Sequence, residues 1–80
     1  KWGLDFTGGT QIEVTYPQAA DLTAIRDSLS KAGFTEAQVV SYGTSKDVLI
    51  SIAPREDKEQ ARLVEQVMNA LPGAVKQRVD

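Results

Sequence analysis

The chain has 80 residues, of which 41% are hydrophobic and 25% charged, enough for one thin-cored globular domain and too apolar for a disordered segment. It contains no cysteine and no histidine, which excludes disulfides, thiol nucleophiles, imidazole acid–base chemistry and the usual zinc-ligand sets. Nine basic residues against 11 acidic ones leave a net charge of −2, a poor balance for a domain whose main task is to hold phosphate backbones.

Residues 3–10, Gly-Leu-Asp-Phe-Thr-Gly-Gly-Thr, precede any periodic pattern and hold three of the six glycines. Gln11–Tyr16 then alternates polar and apolar residues and reads as a half-buried strand ended by Pro17. Asp21 stands where a helix N-cap belongs. Leu22, Ile25, Leu29 and Ala32 follow on one helical face, closed by Gly33. Gln38–Tyr42 predicts a second strand, Gly43-Thr44-Ser45-Lys46 a turn, and Val48–Ile52 a third strand, the two strands forming a hairpin. Pro54 ends that strand, and Asp57 with Gln60 resembles a capping box. Ala61, Val64, Val67, Met68 and Leu71 predict the apolar face of a second helix, stopped by Pro72-Gly73. Val75 and Val79 alternate with Lys76 and Arg78 in a fourth strand within Ala74–Val79. The chain starts on Lys1 and stops at Asp80 straight after that strand, which reads as a piece of a longer protein. No stretch approaches the roughly 20 apolar residues needed to cross a bilayer.

The order β-α-β-β-α-β predicts an α+β, ferredoxin-like sandwich, with two helices on one face of a four-stranded antiparallel sheet. Right-handed crossovers place the first and third strands in the centre. Parity turns Ile12, Val14, Tyr16, Val48, Ile50 and Ile52 toward the helices. It leaves Gln11, Glu13, Thr15, Leu49, Ser51, Lys76 and Arg78 on the opposite face. RNA-binding sheets of this topology stack bases on aromatic rings of the central strands, and those positions here carry none, so no nucleic-acid partner is expected. No hydroxyl or carboxylate has a recognisable base beside it, so neither enzymatic activity nor a cofactor is expected. Glu56-Asp57 reads as the favourable negative charge of a helix N-terminus, and Arg62 and Glu65 as a solvated face. Residues 3–10 lack the Gly-Lys-Ser/Thr ending of a phosphate loop. On the residues alone they read as a tight turn, with Asp5 and Thr7 bonding nearby amides, that steers the chain into the sheet.

Trp2-Gly3-Leu4-Asp5-Phe6-Thr7-Gly8-Gly9-Thr10, followed by a strand containing Glu13, resembles the SecD/SecF family of protein-export membrane proteins. The Phe6-Thr7-Gly8-Gly9-Thr10 run is similar to the SecF half, where SecD-type sequences usually carry Leu-Arg-Gly-Gly. The Lys31-Ala32-Gly33-Phe34 helix end and the element order extend the resemblance to the first periplasmic domain of SecF. It implies residues 1–10 as a membrane-proximal connecting motif and 11–80 as a periplasmic domain, part of an inner-membrane protein. It further implies SecD and the SecYEG channel as partners, contact with the translocating preprotein, and a non-catalytic share in export driven by the proton-motive force. Within that picture the glycines set how the domain stands on the bilayer, with Trp2 at the interface. Two other readings stand beside it. ACT-like modules share the element order and bind small molecules at glycine-bearing strand–helix junctions, whereas Pro17–Asp21 has no glycine. The uncharged second strand, through Val39, Val40 and Tyr42, is a candidate for edge pairing with another chain.

Overall fold

The computed structural model describes residues 9–54 and 60–79. Six elements follow in order: β1 (Thr10–Thr15), α1 (Leu22–Lys31), β2 (Gln38–Tyr42), β3 (Thr44–Ile52), α2 (Gln60–Ala70) and β4 (Val75–Val79). The strands form one sheet in the order β2-β3-β1-β4, every neighbouring pair antiparallel. This is the predicted ferredoxin-like α+β architecture, with the first and third strands central.

Alternation decides which side of the sheet is covered. Ile12 and Val14 of β1 and Val48, Ile50 and Ile52 of β3 are wholly buried, and they pack with Ile25 and Leu29 of α1 and Leu63, Val64 and Val67 of α2. Each such side chain, taken fully out of water, contributes roughly 1.5–3 kcal/mol before entropy is counted. Both helices therefore lie on one face, and Phe34, Val39 and Leu71 complete the core. Tyr16 lies just past β1, half-buried against it.

The ends of α1 follow from local chemistry. The Asp21 carboxylate accepts from the Ala24 amide at 3.1 Å, satisfying one of the orphan donors of the first turn. At the other end Gly33 takes φ +98°, and its amide donates to the Ser30 carbonyl while Phe34 donates to Leu29 at 2.8 Å. That pair of bonds is a Schellman closure, and it drops Phe34 onto Leu29 within the core.

Three elements depart from the sequence reading. β3 starts at Thr44, four residues ahead of Val48, and only Gly43 (φ +73°) remains as the turn. The early residues Thr44, Ser45 and Lys46 are exposed, so no apolar alternation betrays their strand geometry. In α2, Leu63 is buried and Ala61 exposed, since a bulky isobutyl group rather than a methyl fills the space over the sheet. Asp57 and Glu56, the predicted start of that helix, lie outside the described residues.

β4 holds the third departure. Glu13 faces Arg78 and Val14 faces Lys76, so Gln77 is an extra residue and the strand carries a β-bulge. The bulge changes parity along β4. Val79 pairs with Ile12 on the helix side, whereas Val75 pairs with Thr15 on the open face and is 57% exposed. Lys76, expected on the open face, stands instead opposite buried Val14.

Candidate interaction surface

The register lays out the uncovered face of the sheet in rows. Val40, Leu49, Glu13 and Arg78 form one row across all four strands. Gln38, Ser51 and Gln11 lie on one side of it, and Asp47, Thr15 and Val75 on the other. Tyr42 joins this face by donating its hydroxyl to Glu13 Oε1 at 2.9 Å. Three large apolar side chains are exposed among the described residues, Val40, Tyr42 and Val75, and all three lie here. The face is thus a polar centre with apolar groups at both margins.

Asp47 organises one end of it. Its Oδ1 accepts from Thr15 Oγ1 at 2.8 Å, and its Oδ2 accepts from Thr44 Oγ1 at 2.9 Å and the Thr44 amide at 3.3 Å. The Thr15 bond, then those from Thr44, hold the carboxyl below the usual aspartate range. The Thr44 bonds brace the hairpin beside Gly43, where an added Cβ would meet Asp47 Oδ2 at 3.3 Å. Tyr42 titrates above the ordinary phenol range through partial desolvation, reinforced by its bond to Glu13 and that residue's charge.

The edges of the sheet differ from its face. Tyr16 donates its amide to the Lys46 carbonyl at 3.0 Å, which sets the phase of the β1–β3 ladder. Residues 46, 48, 50 and 52 then point their backbone groups to β1, and 47, 49 and 51 point theirs to β2. It follows that Gln38 and Val40 bond to β3, while the N–H and C=O of Val39 and Ser41 face outward along the free edge. Arg26 of α1 reaches round this edge and donates from Nη2 to the Val39 carbonyl at 3.0 Å.

The predicted site residues therefore separate. Of the edge trio, Val40 and Tyr42 present side chains outward, on the open face, but the Val39 side chain is buried under α1 and its carbonyl is already held. In the glycine-rich motif, Gly3, Leu4, Asp5, Phe6, Thr7 and Gly8 lie outside the described residues. Gly9 is half-buried, and Thr10 is buried where it opens β1 opposite Ile52. At the far end of β1 two shallow clefts share Tyr16 and Pro72, bounded by the chain entering α1 and the chain leaving α2. Burial there raises the Tyr16 phenol above its ordinary value. Arg26, Asp47 and the Tyr42–Glu13 pair were not singled out from sequence. Asp47 was discoverable, because a carboxylate three residues after a threonine at a glycine turn is a common local bonding pattern.

A family model for the SecD/SecF GG motif matches residues 1–20. Over 79 residues, 99% of its length, the chain is 38% identical to the protein translocase subunit SecF of Vibrio alginolyticus. This chain belongs to the SecF family. It is also 51% identical over 63 residues to SecF of Pseudomonas aeruginosa and 47% identical over 55 residues to SecF of Escherichia coli O157:H7, covering 79% and 69% of its own length. The chain spans about a quarter or less of these SecF relatives: 25%, 20% and 17% respectively. The family motif match takes in residues 3–10, β1 and the approach to α1, and the Vibrio SecF match runs through all six elements. Among the described residues of this SecF-family chain no helix is long and apolar enough to cross a membrane, and no three acidic side chains converge as metal ligands would.

Proposed function

We propose that this chain is the first periplasmic domain of a SecF-type translocase subunit, and that it assists protein export across the inner membrane without catalysing a reaction. The observation that carries the reading is the glycine-rich motif match over residues 1–20 continued by SecF likeness along the whole fold. In this reading SecD is the partner subunit, SecYEG the adjacent channel, and the proton-motive force acts on membrane helices outside this chain. The domain contributes surface. The open face, with Val40, Tyr42 and Val75 exposed around a polar centre, suits contact with a partner domain or an unfolded preprotein segment, which offers both side-chain apolar groups and unpaired backbone.

Photocrosslinking in cells tests this, with probes at Glu13, Val40 and Lys76 of the full-length parent and a stalled export substrate present. Glu13 and Val40 sample the open face, and Lys76 the bulged edge strand. Adducts from the face positions to SecD or to the substrate are expected. Absence of both, with the parent in the membrane and the domain folded, would leave only a spacer role. We assign residues 1–9, ahead of β1, the task of connecting the domain to the preceding membrane helix. Gly8→Val or Asp5→Ala in the parent should then impair export while the 80-residue chain keeps its melting temperature; a chain unfolded by either change would make the motif a fold determinant instead.

A further inference from the structure

The β2 edge combines two features that pull in opposite directions. It is short, uncharged and of strand-favouring composition (Gln-Val-Val-Ser-Tyr), with the amides and carbonyls of Val39 and Ser41 facing outward. Such an edge is a template for another strand. Yet the Arg26 guanidinium occupies the Val39 carbonyl at 3.0 Å, from a helix anchored in the core by Ile25 and Leu29. β4, the opposite edge, is protected differently, by its bulge at Gln77 and by Lys76.

We propose that Arg26 holds the β2 edge closed to strand addition, and that the strand it excludes is β2 of a second copy of this chain. The geometry specifies the pairing. Two β2 strands laid antiparallel about Val40 bring Val39 of one copy opposite Ser41 of the other, and each of these pairs exchanges two backbone hydrogen bonds. The Val39 carbonyl accepts in that ladder from the Ser41 amide of the second copy. It is the same acceptor that Arg26 now bonds, so the incoming amide has to share that oxygen or displace the guanidinium. The arrangement is two-fold symmetric and therefore closes. It also sets the two Val40 side chains, each 48% exposed, against one another on a continuous open face. No charged residue lies within β2 to oppose this, so the bond from Arg26 is the specific obstacle. The proposal stands on the edge itself and is independent of the export reading.

Sedimentation or light scattering on the 80-residue chain tests it, using Arg26→Met, which keeps the aliphatic stem and removes every donor. The unchanged chain should be monomeric, and Arg26→Met should show a doubled apparent mass at the same concentration. Adding Ser41→Pro should restore the monomer, since the Ser41 amide faces outward and its loss costs the β2–β3 ladder nothing. Thermal melting confirms that each variant is folded; if Arg26→Met is not, Arg26→Gln is read in its place. A folded variant that stays monomeric overturns the proposal, as does an unchanged chain that already dimerises through β2 and is dissolved by Ser41→Pro.

Discussion

The two faces of this sheet use the same strands and differ by one residue of phase. On the helix side, Ile12, Val14, Val48, Ile50 and Ile52 are wholly buried and interchangeable in kind: each contributes area, and none needs a specific partner. On the open side the contributions are particular. Glu13 of β1 is tied across the sheet to Tyr42 of β2, Thr15 to Asp47 of the neighbouring β3, and Asp47 in turn to Thr44 of its own strand, so order there comes from directed bonds. The first face stabilises the fold through hydrophobic burial, which is insensitive to pH. The second fixes the hairpin and the relative positions of surface groups, and it answers to protonation.

The contrast can be broken most forcefully on the covered side. Ile50→Ala should cost about 2–5 kcal/mol in urea unfolding through lost burial and the cavity left behind. Ser51→Ala, its half-buried neighbour on the other face, should stay within about 0.5 kcal/mol. Asp47→Asn probes the open face less severely. An amide keeps one acceptor and puts a donor where the other stood, so the bond from Thr15 must reverse or those from Thr44 are lost. Because the folded Asp47 titrates below its ordinary value, its contribution is present above the unfolded aspartate pKa and is lost as pH falls through the lowered folded value. Unfolding measured across the acidic range should show that slope in the unchanged chain and a shallower one in Asp47→Asn. Tyr42→Phe should be the mildest change. The raised phenol pKa means its contribution is present below the unfolded tyrosine pKa and lost as pH climbs through the raised folded value, so the variant should sit slightly below the unchanged chain at neutral pH and converge with it at the alkaline end.

Much of this fold is legible in sequence because strict alternation and helix capping are one-dimensional signals. Ile12-Glu13-Val14, Asp21, Gly33 and Val48–Ile52 state their roles without reference to distant residues. The features that stayed hidden depend on partners far along the chain. The bulge at Gln77 exists only as a mismatch with Glu13 and Val14, and a Val-Lys-Gln-Arg-Val run reads as regular alternation. Arg26 lies on the polar side of a helix and looks like any solvated cation until β2 is placed beneath it. Polar Thr44–Lys46 carry no periodicity, so their strand geometry comes from the glycine turn and Asp47 rather than from burial. The surface assigned to edge contact was legible only in part for the same reason: parity places Val40 outward and Val39 inward, but not the guanidinium that holds the Val39 carbonyl.

Strand order also imposes a timetable. β1 is made before the other three strands and sits in the middle of the finished sheet, bonded on one side to β3 and on the other to β4, the last of the four strands to be made. Until Val75–Val79 emerges, the backbone groups of Glu13 and Thr15 have no strand to meet on that side. A nascent chain halted after α2 would thus carry its central strand as a raw edge, with Ile12 and Val14 alongside. Such a truncated chain should be a stronger substrate for holding chaperones than the same chain carried through β4, whose pairing ends that exposure.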